Sequence, residues 1–402
     1  MLSAVEVLKR TNQISSWAIP VVFAFLIVVG CNSALKVFGN EQVIYKGTVT
    51  TIPFEYENAP FVNVQINSKT YRFLVDTGAP TIISTTLFNE LNVQKAKEAQ
   101  MGDSQGVSKE RQFIVIPEMS LGSLVYTNIG AVVTDFDGAF EIDCMGYDGI
   151  LGANQMAISV WKFDYQKKEI QIAASLDNFD TTNFEILPFQ PKRPQMTPMI
   201  TGDINGNKVV LTYDSGYTGS LKTSLSDDKL ATYPSIIKYG ITSAGIYGAG
   251  KSEPRNIYKI DSISLGNITL QNKIIDNDVS SLIGNELLDN YVSIIDWKTN
   301  QIYWKEVNQD DLSNLQTFGF GYRLNTMKAI VAYRIEEIDL PLKIGDTILS
   351  INNTSYENLD KTSACLLTNN KIEKDIEKMT LRYLDNGKVQ SIEIVKQTLL
   401  DD

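Results

Sequence analysis

The feature that most constrains this chain is that the larger part of it is written twice. Ile66-Asn67 followed by Phe73-Leu74-Val75-Asp76-Thr77-Gly78 matches Ile204-Asn205 followed by Leu211-Thr212-Tyr213-Asp214-Ser215-Gly216, at a common offset of 138 residues. Ser120-Leu121-Gly122 and Asn128 match Ser264-Leu265-Gly266 and Asn272 at an offset of 144. Ile150-Leu151-Gly152 and Asp164 match Leu282-Ile283-Gly284 and Asp296 at 132. Offsets that hold within blocks and change between them mark a duplication with loop insertions and deletions.

Each copy reads as β-structure. Short alternating runs rich in β-branched and aromatic residues, such as Phe61-Val62-Asn63-Val64-Gln65-Ile66 and Phe113-Ile114-Val115-Ile116, are separated by Gly, Asn and Asp turns. Helical periodicity is scarce. Pro188, Pro191, Pro194 and Pro198 mark an extended connection into the second copy, so the boundary is expected near residue 180. A chain of 402 residues also exceeds one ordinary core, and two or three domains of ~100–200 residues are expected.

There is no histidine, which excludes Ser-His-Asp and Cys-His nucleophilic catalysis and every His-ligated metal site. A hydrolase built from this sequence must move protons with carboxylates or lysines. The net charge of -11 and the lack of a basic run argue against a nucleic-acid partner. No cofactor motif and no metal-ligand cluster stands out. The three cysteines, Cys31, Cys144 and Cys365, have no CxxC spacing and form no even set, so Cys144 and Cys365 read as small buried hydrophobes.

A lone Asp-Thr-Gly is a weak sign, because any surface turn favours these residues. Here it recurs at the equivalent place in both copies, follows an apolar strand each time, and is followed by a hydrophobic-hydrophobic-Gly element 74 residues after Asp76 and 68 after Asp214. This pattern, over roughly residues 52–304, resembles the pepsin and retropepsin superfamily of aspartic proteases, most closely the two-lobed bacterial retropepsin-like group. The resemblance implies a mostly β fold: two tandem β-barrel lobes, 46–180 and 181–306, forming a bilobal protease. It assigns catalysis to Asp76 and Asp214, with Thr77, Gly78, Ser215 and Gly216 supporting the turns. Two carboxyls in hydrogen-bonding reach share one proton, so one can activate water while the other polarises the scissile carbonyl. Ala79 and Tyr217 depart from the Ser or Thr usual after such turns. Tyr217 leaves the second turn's geometry open, and both residues are expected to raise the pair's pKa values by withholding a hydroxyl donor. Flaps over the substrate are expected at Gly106 in the first copy and at Tyr247, Gly248 and Gly250 in the second.

After Trp304 a new unit begins. Lys343-Ile344-Gly345-Asp346-Thr347-Ile348-Leu349-Ser350-Ile351-Asn352 resembles the strand signature of PDZ domains, and Gly319, Phe320 and Gly321 fall where that family binds a peptide carboxylate. The resemblance implies an α/β domain over 312–399, with a groove helix near Asn358 to Leu367, that takes protein C-termini by strand addition. At the other end, Lys9 and Arg10 precede the apolar run Trp17 to Val29, which is too short to span a bilayer comfortably. The following Val28-Val29-Gly30-Cys31 resembles a lipobox. It implies a signal peptide over 1–30, lipid on Cys31, a tether over 31–45, and an envelope-facing bacterial lipoprotein; an uncleaved signal anchor is the alternative. The expected partners are polypeptide substrates, protein C-termini and the membrane. Two other function classes stay open: a peptide-binding lipoprotein of the same fold without turnover, and a scaffold that uses mainly the C-terminal groove.

Overall fold

In a computed structural model of the chain, residues 13–15, 35–308, 311–325, 328–369 and 376–401 are described. Cys31 and, apart from residues 13–15, the leader read over 1–30 lie outside them. Among the described residues no helix is long and apolar enough to cross a membrane.

The molecule is mostly β. In the first copy the strands Pro60–Ile66, Lys69–Asp76, Gly149–Gly152, Ile82–Ile83, Leu124–Val133 and Ser108–Leu121 pair in that order, and the last two also pair with each other. Ser108–Leu121 then meets Pro60–Ile66 at Gln65↔Ser120, so the ring closes into a barrel. In the second copy Thr197–Ile204, Asn207–Tyr213, Leu282–Ile283, Leu221–Thr223, Ile268–Asn277 and Glu253–Leu265 follow the same order, closed by Gly202↔Leu265. Alternation builds the cores. Val62, Val64 and Ile66 point inward from one strand, and Ile200 and Ile204 from its counterpart.

The turns explain which residues the two copies share. Asn67 and Asn205, Gly122 and Gly266, and Asn128 and Asn272 all have φ between 49° and 61°. This left-handed region is costly for most L-residues and open to Gly and Asn, so these positions, two pairs in hairpin turns and the Asn128 and Asn272 pair inside strands, tolerate little else.

The copies are joined by a six-stranded sheet in the order Glu185–Pro188, Gln301–Glu306, Tyr291–Asp296, Val160–Asp164, Glu169–Ala173, Val49–Pro53. Its central antiparallel pair has one strand from each copy, from Val160↔Asp296 to Asp164↔Val292. The stretch read as a tether differs from that expectation. Val37 and Phe38 are buried, and Gln42–Ile44 pairs with Leu124–Val133, because this segment has apolar side chains that the barrel wall can cover.

The C-terminal unit has its own core of Phe318, Phe320, Leu324, Val331, Ile348, Ile351, Leu381 and neighbours, with a helix over Lys361–Asn369. Its strand Lys328–Ile335 pairs antiparallel with Ser235–Gly240 of the second barrel, so one sheet runs through both. Cys144 and Cys365 correct their reading as small hydrophobes: they form a disulfide. The 221 residues between them hid this, since the two meet only where the C-terminal unit packs on the first copy.

Phe163 is almost fully buried in the joining sheet, whereas Val210 is exposed. Phe163→Ala is expected to cost about 3–5 kcal/mol in urea unfolding, while Val210→Ala stays within ~0.5 kcal/mol. Equal effects would mean that the joining sheet is not a core element.

Candidate active site

Both Asp-x-Gly turns are held by the same local device. Lys69–Asp76 runs parallel to Gly149–Gly152, with Leu151↔Val75 and Gly152↔Asp76, and Tyr213 pairs with Ile283 in the second copy. Each hydrophobic-hydrophobic-Gly element thus lies directly behind its turn. The residue after the glycine then ties to the turn: Ala153 N–H donates to Ala79 O at 2.8 Å, and Asn285 N–H to Tyr217 O at 2.8 Å.

The two turns meet and exchange hydrogen bonds. Thr77 N–H donates to Ser215 Oγ and Ser215 N–H to Thr77 Oγ1, both at 3.0 Å. Each hydroxyl then donates to the opposite strand, Thr77 Oγ1 to Tyr213 O at 2.6 Å and Ser215 Oγ to Val75 O at 2.9 Å. The geometry is a reciprocal lock around an approximate twofold. Gly78 and Gly216 let it close. A Cβ on Gly78 would lie 2.6 Å from Asp214 Cγ, and one on Gly216 2.4 Å from Asp76 Cγ.

Asp76 and Asp214 therefore face each other, each 0% exposed. One oxygen of each carboxyl is satisfied by its own turn: Asp76 Oδ1 accepts from Gly78 N–H at 2.7 Å, and Asp214 Oδ1 from Gly216 and Tyr217 N–H, both at 3.0 Å. The Oδ2 atoms are buried and take no donor from the other described residues, so the proton between them has to come from the pair itself. Burial pushes Asp76 well above the usual carboxylate range, and repulsion from Asp214 adds to it. Asp214 is raised mainly by burial, and is held back by its hydrogen bond with Asp76, by the turn amides and by the nearby Lys222 ammonium. Two carboxyls raised together in this way share one proton as a pair.

The residues after the turns act differently from what their side chains suggested. Tyr217 contributes its backbone N–H to Asp214, and its ring is buried with Lys222 Nζ 5.2 Å from the ring centre. Gly219 and Gly284 make room for it, since a Cβ there would fall 2.4 Å from the phenol oxygen or 2.3 Å from the ring. The raised pKa values come first from burial, where the sequence pointed to a missing hydroxyl.

Other supports are not legible in the motifs. Tyr165 of the first copy donates to Asn285 Oδ1 at 2.9 Å, and Asn285 Nδ2 donates to Ser215 O at 2.6 Å. In return Thr197 of the second copy donates to Gly78 O at 3.3 Å and is itself held by Gln195. Each copy thus braces the other's turn. Asn285 could have been noticed, directly after the aligned Gly284; Thr197 and Tyr165 carry no comparable signal.

The two flap candidates meet at their tips. Gly106 lies in the turn between Lys95–Gly102 and Ser108–Leu121, with φ +74°. Tyr247 lies between the short strands Ala244–Gly245 and Gly248–Ala249, just ahead of Gly250. Tyr247 N–H donates to Asp103 Oδ2 at 3.1 Å, and Ser243 Oγ to Gln105 Oε1 at 3.0 Å. Tyr247 and Ile246 are buried in one apolar cluster with Phe61, Met101, Tyr147 and Tyr333. Gly319, Phe320 and Gly321 are in the C-terminal unit, where Gly319 N–H donates to Thr317 Oγ1 and Phe320 is buried. No group of three or more Cys, Asp or Glu that could hold a metal ion occurs among the described residues.

A pair of carboxyls whose pKa values rise on folding stabilises the fold fully below the ordinary carboxylate range, and this contribution is lost as pH rises through the raised values. Asp76→Asn removes a charge that the fold would otherwise bury. The variant is expected to unfold at higher urea than wild type at pH 8, with the gap closing towards pH 4. A gap independent of pH would mean that burial does not perturb the pair.

The family described as Aspartyl protease has a model that matches residues 62–155, a span that includes Asp76 and its turn and ends before Asp214. No curated protein matches the chain. The first copy thus carries the mark of a pepsin-like aspartyl protease domain, and aspartic protease activity is the function that this match supports.

Proposed function

We propose that the chain is an aspartic endopeptidase whose two barrels act as the lobes of one enzyme, 46–180 and 181–306, with Asp76 and Asp214 as a single intramolecular dyad. The observation that carries this reading is the meeting of two carboxyls, one from each copy, on turns locked by Thr77 and Ser215. In the singly protonated pair Asp214 takes a proton from a water held between the carboxyls, and Asp76 donates its own to the scissile carbonyl oxygen. Water oxygen bonds to carbon, giving a neutral gem-diol. Its collapse breaks the C–N bond: the leaving nitrogen receives the proton from Asp214, a gem-diol hydroxyl returns one to Asp76, and the dyad is restored with no covalent intermediate formed. The chemistry needs no histidine and no metal.

The C-terminal unit, 312–399, is read as a PDZ-like domain whose groove lies between Phe320–Asn325 and the helix Lys361–Asn369, with Gly319 and Gly321 at its head. A peptide C-terminus would add as a strand there. Lipid on Cys31 would hold the enzyme at a membrane, facing away from the cytoplasm. The Cys144–Cys365 disulfide supports that compartment, because disulfides persist in oxidising surroundings.

Burial of the dyad favours one further reading, a peptide-binding lipoprotein of this fold without turnover. The two separate by incubating the purified chain with denatured proteins and sequencing the products. Asp76→Asn and Asp214→Asn are each expected to lower kcat by at least ~10³-fold with folding intact. Products that persist unchanged in both variants would select the binder. The tether is tested apart from activity: wild type is expected to sediment with membranes and Cys31→Ala to lose processing there, whereas a soluble wild type with an intact Met1 would overturn it.

A further inference from the structure

The PDZ-like groove is not open. The short helix Phe140–Asp143 of the first copy touches both of its walls, the strand Phe320–Asn325 and the helix Lys361–Asn369. Glu141 forms a two-pronged ion pair with Arg323, at 2.9 Å to Nε and 2.8 Å to Nη2, and both side chains are largely buried. Asp143 pairs with Lys361 at 2.6 Å, and Asn369 Nδ2 donates to Cys144 O at 3.2 Å. Phe140 packs on the C-terminal core. Cys144, which caps this helix, is then bonded to Cys365 in the middle of the groove helix.

The same segment reaches the flaps. Phe140–Asp143 touches Ala244–Gly245, and Ile142 shares a buried cluster with Ile246, Tyr247 and Tyr333. A Cβ on Gly138 would lie 2.2 Å from Ile246 O, which shows how closely the loop is pressed to the second flap. From the other side Gly240↔Tyr333 and Tyr239↔Arg334 stitch the outer strand of that flap to the C-terminal unit. The flap is therefore held on two sides while the dyad beneath is shut from solvent.

We infer that the PDZ-like groove is a docking site whose occupant in the resting protein is the chain's own segment 139–144, and that the Cys144–Cys365 disulfide makes this a latch keeping the flaps closed. The inference rests on the PDZ-like reading for the groove and on the endopeptidase reading for its consequence, though not for the contacts themselves. Opening requires a dithiol reductant. Its thiolate attacks one sulfur, most accessibly Cys365, which is half-buried where Cys144 is buried, and expels the Cys144 thiolate. The second thiol of the reductant then closes its own disulfide and releases Cys365. Two electrons pass to the protein, and two thiols replace one disulfide. Groove and cleft then become available together.

The test is hydrogen exchange of the full chain at residues 103–107 and 244–250, read alongside cleavage of a denatured protein. Dithiothreitol is expected to speed flap exchange in wild type at least about tenfold and to raise cleavage. Cys144→Ser/Cys365→Ser is expected to exchange fast without reductant and not to respond to it. Should that variant not fold, wild type with and without dithiothreitol carries the same comparison. Flap exchange unchanged by reduction would overturn the latch, whatever the activity. Faster exchange with no cleavage in either state would leave the latch standing and count against the endopeptidase reading alone.

Discussion

The structure depends on the reciprocal bonds between Thr77 and Ser215. Their four hydrogen bonds join two chain turns 138 residues apart, and all the groups involved are buried. Losing either hydroxyl would strand a buried amide, a cost of ~1–3 kcal/mol beyond the bond itself. The lock also sets the chemistry, because it presses two carboxyls together where both cannot ionise. Glycines at 78 and 216 are a consequence of that closeness, since each faces the opposite carboxyl rather than its own.

The twofold is exact in strand order but broken in charge. Behind the second turn, Lys222 is buried against Asp278, with Arg255 3.5 Å from the same carboxylate. The place corresponding to Tyr217 in the first copy is Ala79, packed in an apolar cluster. The Lys222 ammonium beside Asp214 favours that carboxyl's charged form, a small influence against the burial that raises it. Tyr217, the residue that looked least suited to its turn, packs its ring against that cation.

How much of this was legible follows from the range of the interactions involved. The duplication, the strands and the turn positions with positive φ were readable, because alternation and left-handed turns constrain residue type locally. The aspartates stood out for the same reason, each at a strand end before a glycine. What stayed hidden depends on contacts between distant segments. Cys144 and Cys365 have no telling spacing, and Thr197, Tyr165 and Lys222 carry no sequence sign of the buried places they occupy. The segment 35–45 was misread because its few apolar residues were too short a run to reveal the barrel wall they cover.

Closure of the cleft poses an energetic question that the flap tips alone do not answer. The tips meet through two hydrogen bonds, Tyr247 N–H to Asp103 and Ser243 to Gln105, each worth about 0.5–1.5 kcal/mol net, while Lys109 and Arg111 of the first flap lie over the Tyr247 ring and Met101 packs in its cluster. Flaps held only in this way would open often, as loops in proteases need to. Here the second flap also carries the strand pairing to Lys328–Ile335 and the pressure of the 138–144 loop, and these two holds are tied to one another through Cys144–Cys365. A covalent link between two elements that both bear on the flap makes their release cooperative: neither can leave far while the other stays. In the latch inferred above, the C-terminal unit bears on the second flap through backbone pairing and one covalent bond.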